Sequence, residues 1–146
     1  MTGMRLRLAL ACALAFWWGP PSGGPLGGSA EAHHSIAGMY DQGRRVTFDG
    51  TIAQFQFVNP HPFVMIDVKD ANGVAQSWKA ELDNRWELVE VGVTPTTFKA
   101  GERVVVTGSP GRSQALLLYV WRLERPADGF LYEQVGTSPR VSQRAR

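Results

Sequence analysis

The stretch Val74-Ala75-Gln76-Ser77-Trp78-Lys79-Ala80-Glu81-Leu82-Asp83-Asn84-Arg85-Trp86-Glu87-Leu88-Val89-Glu90-Val91-Gly92 changes period halfway along, and the change decides the fold. Up to Leu82 the residues alternate. Val74, Gln76, Trp78, Ala80 and Leu82 share one face, and Ala75, Ser77, Lys79 and Glu81 share the other. A period of two reads as a strand. Asp83 or Asn84 then caps a short helix through about Val91, with Trp86, Leu88 and Val89 as its apolar members and Gly92 just past its end.

Strand signals lie on both sides. Arg45 to Phe57 sets Val46, Phe48 and Ile52 among Thr47, Asp49, Thr51 and Gln54, with Gly50 marking a bulge or bend. Asn59-Pro60-His61-Pro62 is a turn. Phe63 to Lys69 is rich in β-branched residues and reads as a second strand. Asp70-Ala71-Asn72-Gly73 joins it to the third, because Asn-Gly tolerates the positive φ of a tight turn. After the helix, Lys99-Ala100-Gly101-Glu102 is a turn, Arg103 to Thr107 a fourth strand, Gly108 to Gly111 a loop and Ala115 to Leu123 a fifth strand. Apolar residues thin out from Glu124, so 126–146 is expected to be a flexible tail. Three strands, a short helix and two strands match a mainly β fold, a small five-stranded OB-like Greek-key barrel with its helix between strands three and four. An open sandwich of the same strands is the alternative. Either way the expected core is Val46, Ile52, Val64, Ile66, Val68, Trp78, Val104, Val106, Leu116 and Leu118.

Before the domain comes an export signal. Arg5 and Arg7 precede an apolar run from Leu8 to Trp18, then a Gly/Pro stretch ending in Ala30-Glu31-Ala32. That run is far shorter than the roughly 20 residues of a membrane span, so no span is expected after processing. Residues 1–32 are read as a signal peptide and 33–125 as the barrel domain, placing the protein in the periplasm or outside the cell. Gly28-Ser29-Ala30 is a second acceptable cleavage site. Cys12, the one cysteine, falls inside the signal, so no disulfide or thiolate ligand is expected in the mature chain. Loss of Arg5, Arg7 and Glu31 from 15 basic and 13 acidic residues leaves a net charge of +1. Such a balance has little pull on phosphate backbones, which argues against a nucleic-acid partner.

The chemistry-bearing residues are then few. The chain holds three histidines, His33, His34 and His61. Cleavage after Ala32 gives His33 a free amine beside its ring, a two-nitrogen chelate that only a chain end can offer. With the ring of His61 this makes a three-nitrogen set suited to copper, since Cu(II) prefers tetragonal nitrogen ligands. Cleavage after Ala30 instead gives Glu31-Ala32-His33, whose amine, backbone amides and ring also bind Cu(II). Asn59 and His61 both precede a proline and are biased to extended backbone, a stiff mount for a ligand, and Asn59 can hydrogen-bond the free nitrogen of a liganding ring. The plainer reading is a common Asn-Pro turn with an exposed histidine. Trp78, Trp86 and Trp121 fit either core or a ligand-binding barrel face. Asp67, Glu81 and Asp83 have no spacing that marks an acid–base pair, and no nucleophile, phosphate-loop or zinc-protease motif is present. Enzymatic activity is not expected, and no catalytic residue is assigned. A copper-handling protein, a binding module for a small ligand or protein, and a copper oxidase are the classes left.

Ala32-His33-His34-Ser35-Ile36, with Val58-Asn59-Pro60-His61, resembles a family of small exported bacterial proteins known as a domain of unknown function. Members begin the mature chain with H-H-S-F, carry N-P-H between the first two strands, and have a D-x-N-G hairpin and a K-x-G-[DE] turn, here Asp70 to Gly73 and Lys99 to Glu102. The resemblance spans roughly His33 to Leu123 and departs at Ile36 and Pro62. It implies an exported small β-domain and no established activity.

Overall fold

The structure, a computed structural model, describes residues 35–143. The proposed signal peptide, His33, His34 and residues 144–146 lie outside the described residues. Among the described residues are seven strands: β1 (Val46–Gln56), β2 (Phe63–Lys69), β3 (Ala75–Glu81), β4 (Arg103–Pro110), β5 (Leu117–Arg125), β6 (Phe130–Val135) and β7 (Ser138–Gln143). Two short helices accompany them, α1 (Ile36–Met39) before β1 and α2 (Arg85–Glu90) between β3 and β4. The first five strands close a barrel in the order β1-β2-β3-β5-β4 and back to β1. Every contact in that ring is antiparallel except β3 with β5. This is the OB arrangement, with α2 in the expected place.

Strand β1 serves two partners. Its first half pairs with β4 and its second half with β2, and Thr51 faces both Arg103 and Asp67. Gly50 sits at the hand-over. A Cβ there would lie 2.6 Å from Ile66 Cγ2 and 2.8 Å from the Asp67 carbonyl, so the fold needs the missing side chain. The register shift comes slightly later, between Ile52 and Gln54. Gly108 is tighter still, with a Cβ 2.3 Å from the Tyr119 carbonyl and 2.6 Å from Leu118 Cγ. Gly108 to Pro110, expected as a loop, instead finishes β4 against Leu118 to Val120, because only a bare backbone lets β5 come so close.

The α2 cap forms as the sequence suggests. Asn84 Oδ1 accepts from Glu87 N at 2.9 Å, and Asn84 Nδ2 donates to the Glu87 carboxylate. Gly92 at φ +86 ends the helix, and Val93 N–H returns to the Leu88 carbonyl at 2.8 Å. Leu88 alone among the helix residues is buried; Trp86 and Val89 face solvent.

Ile52, Val64, Ile66, Val104, Val106 and Leu118 are fully buried, and Val46, Val68 and Trp78 pack partly buried around them. Leu116 is the exception. Its backbone is left-handed at φ +58, which turns the chain into β5 one residue late and leaves Leu117 outside and Leu118 inside. The larger correction is the tail. Residues 126–146 were expected to be flexible, yet β6 and β7 form a hairpin that extends the sheet from β5. Phe130 and Tyr132 belong to the main core, and Val141 packs against it. Phe98 meets Phe55 and Phe130 edge-on at 5.1 and 5.3 Å. The turn into β6 is clamped by Arg125, which pairs with Asp128 at 2.8 Å and Glu102 at 2.9 Å. Few apolar residues suffice here because alternate ones all point into one core.

Two expectations follow. A chain ended at Arg125 should lose its cooperative melt by circular dichroism, whereas a merely flexible tail would leave the melting temperature unchanged. Gly108→Ala should lower stability by about 3 kcal/mol in chemical denaturation, because the added methyl meets backbone that cannot yield.

Candidate functional site

The candidate site lies on the outer face of the barrel where β2, β3 and β5 meet. In β2 and β3, Val64, Ile66, Ala80 and Leu82 point inward, so Phe63, Lys79 and Glu81 point outward. Lys79 Nζ lies 4.3 Å from the Phe63 ring centroid, as a diagonal pair on that face would. Parallel pairing with β5 sets Glu81 beside Tyr119. The lead-in covers this corner. Ile36 and Met39 pack against a small outer cluster of Tyr40, Leu117 and Tyr119. Tyr40 bridges to Gly111, stacks on Tyr119 at 5.6 Å, and donates its phenol to Glu81 Oε2 at 2.7 Å. Burial, then the bond to Glu81, push the phenol's pKa up, so Tyr40 stays a donor.

His61 enters from the β1–β2 turn. That turn is tied to the junction of β3 and α2 by two backbone bonds, Leu82 N–H to the Pro62 carbonyl and Arg85 N–H to the Pro60 carbonyl, each 2.9 Å. The first carries the β2–β3 ladder one step beyond Phe63 and Glu81. His61 is half-buried, and its Nδ1 is buried with no hydrogen-bond partner among the described residues. Asn59 is exposed and makes no described hydrogen bond to His61. Because His33 and His34 lie outside the described residues, His61 is the one histidine placed, and among the described residues no group of three or more His, Cys, Asp or Glu could hold a metal.

A second polar cluster borders the first. Asp83 is 6% exposed; Oδ1 accepts from Asn84 N at 3.0 Å, and Oδ2 accepts from Gln134 Nε2. Gln134 also reaches the Tyr119 and Tyr132 hydroxyls at 3.0 and 3.1 Å. Glu87, half-buried and hydrogen-bonded to Asp83, has its pKa pushed up to about 7, first by burial, then by that bond and by the charges of Asp83 and Glu90. Neither Tyr40 nor Gln134 stood out in the sequence, since the bond of Tyr40 to Glu81 spans 41 positions and that of Gln134 to Asp83 spans 51. Of the tryptophans, Trp78 packs on Phe48 at 4.9 Å, and Trp121 lies under Arg45 and donates to buried Ser109 at 3.0 Å. Trp86 is 68% exposed. Asp67 is exposed near the other end of β2.

The fold and this face define a small OB-type barrel with an outer corner of histidine, carboxylates and tyrosines. Residues 25–117 match the family of unknown function DUF6152, more than half of the chain, and the protein belongs to that family. The matched span includes His33-His34-Ser35, the N-P-H turn and Glu81. Comparison with curated proteins gives no match.

The Glu87 proton gives a pH dependence. The folded state holds this proton more tightly than the unfolded chain, whose glutamates titrate near 4.5. Stability from this residue is therefore greatest at low pH and is lost as pH rises from 4.5 through about 7. Glu87→Gln, which keeps a hydrogen bond toward Asp83 without the charge, should flatten that slope and raise the melting temperature at pH 8 by about 2–4 °C.

Proposed function

We propose that the protein is exported, cleaved after Ala32, and binds one Cu(II) through the amine and ring of His33 and the ring of His61. The observation that carries this reading is the His61 Nδ1, buried without a partner among the described residues on a turn pinned by two backbone hydrogen bonds. A buried ring nitrogen with unmet hydrogen-bonding capacity is costly unless something engages it, and a metal does so. The lead-in supports the same reading. Ser35, bonded to His34, opens α1, and α1 packs on the outer face beside Glu81. His34 adds a further ring at the chain end. The role is metal handling in the periplasm, by storage, delivery or sensing, and not catalysis. The strands bury their own apolar core, so metal is not needed for folding.

A second reading rests on Trp86 and Val89, 68% and 53% exposed and one turn apart on α2. Here the barrel is a binding module for an apolar ligand or protein, and the histidines are incidental.

Copper titration separates the two. Processed protein, with mass equal to residues 33–146, should bind about one Cu(II) per chain and much less Zn(II), following the divalent affinity order for nitrogen ligands. Affinity should fall as pH drops through about 6.5, because rings and amine must lose protons to bind. One extra residue before His33 should weaken binding by displacing the amine. His61→Ala should remove one nitrogen from the electron-spin spectrum while changing metal-free melting little. Parent-like copper binding by both altered proteins would end the three-nitrogen site and favour the binding module.

A further inference from the structure

The outer side of α2 carries a charge and apolar pattern that its own barrel leaves unused. At about 100° per residue, Arg85, Trp86, Val89 and Glu90 fall on one side of the helix, and Glu87 and Leu88 fall on the other. Burial agrees: the first four are exposed, Glu87 is half-buried and Leu88 is fully buried. Trp86 and Val89, 68% and 53% exposed, form the apolar middle of the outer side, with a cation at one end and an anion at the other.

Those two charges are badly placed for the helix itself. A cation is favoured near a helix C-terminus and an anion near its N-terminus, whereas Arg85 opens α2 and Glu90 ends it. Neither finds an opposite charge on its own helix. The residues three and four away are Leu88 and Val89 for Arg85, and Glu87 and Trp86 for Glu90. Neither has an ion-pair partner among the described residues. The Arg85 guanidinium lies 5.1 Å from the Phe57 ring centroid, a contact that steadies it without taking up its N–H donors.

A second α2 running antiparallel answers both charges. A twofold axis between Glu87 and Leu88 sets Arg85 against Glu90 of the second copy and Trp86 against Val89 of the second copy, because both pairs are centred on the same point of the helix. Each charge then lies beside the end of the other helix that favours its sign. Trp and Arg are also the residue types that most often carry interface energy. The free edge of the sheet competes poorly, since β7 carries Pro139, which discourages strand pairing.

We propose that α2 is the contact of a weak twofold dimer of this protein, with two Arg85–Glu90 pairs flanking a Trp86–Val89 centre. The inference does not depend on the metal reading, and it gives the face behind the binding-module reading one occupant. Under two turns of helix make a patch far smaller than a permanent interface, so the expected dissociation constant is about 10–100 µM. Sedimentation velocity of the purified protein should show a monomer–dimer equilibrium between about 5 and 500 µM, with a chelator present so that no metal bridges two copies. Trp86→Ala should weaken association at least about tenfold. Arg85→Glu and Glu90→Arg should each weaken it by about tenfold, because each sets like charges together. The double variant restores the pairing with signs exchanged, and its dissociation constant should return to within about threefold of the parent. Both reversals suit the helix dipole, so the fold should be retained, and melting of dilute samples checks this. Weakening in the single variants and recovery in the double one, with dilute melting close to the parent, supports the dimer. A double variant that does not recover, or association that ignores Trp86→Ala, overturns the α2 contact. A parent that stays monomeric to about 500 µM overturns the dimer and leaves this face to a ligand or another protein.

Discussion

Closure of the barrel hangs on a short parallel contact. β3 and β5 pair over Lys79 to Glu81 and Leu117 to Tyr119. All the other ring contacts join antiparallel strands. Parallel pairs are slightly weaker per residue and need long connections, here all of α2, the following loops and β4. Leu116 makes the contact possible. Its left-handed backbone swings the chain so that its carbonyl accepts from Lys79 N–H at 2.8 Å, closing the ring at its first residue pair. Gly108 lets the opposite edge of β5 lie against β4 without a clash. Without these two backbone accommodations the same strands would form an open sheet with exposed edges.

The same contact builds the outer corner. Parallel pairing brings Glu81 beside Tyr119, and Tyr119 gives the lead-in an apolar surface to pack on. Tyr40 then reaches Glu81, while Gln134 joins Tyr119, Tyr132 and Asp83 from the other side. Polar groups from the lead-in, the barrel strands β3 and β5, the residue before α2 and the added hairpin therefore converge at one place. Such a network is expensive when half-satisfied and rigid when complete. Among the described residues, the His61 Nδ1 is the buried side-chain atom left without a hydrogen-bond partner.

The added hairpin shows how a sparse sequence can hold a core. Between Glu124 and Gln143 the apolar residues are few and punctuated by Asp128-Gly129 and Gly136-Thr137. Read for density, that is a tail. Read for period, Phe130 and Tyr132 alternate between two turn signals, and both glycines adopt positive φ, at +71 and +66. The alternation was present, but so thin a set of apolar residues does not separate a strand from a linker without a core to receive them. The helix met the converse problem. Trp86, Leu88 and Val89 look like one apolar set, yet six helical residues expose one narrow stripe to the barrel end, and Leu88 takes it.

Local chemistry settled a good deal from the sequence alone. Alternation set the strands β1 to β3, Asn84 and Gly92 bounded α2, Asp70 to Gly73 formed the hairpin, and the three-strand, helix, two-strand order named the barrel. Each of these depends on neighbours within a few residues, where side-chain period and turn preference act directly. The sequence also picked out His33, His34 and His61 as the histidines available. What it did not contain was any pairing across distance. The union of Tyr40 with Glu81, of Gln134 with Asp83, and of the last hairpin with the core arises only when β3 and β5 meet and bring segments dozens of residues apart onto one face. Those contacts are selected by the shape of the closed barrel and by burial of the groups involved, and no local pattern carries that information.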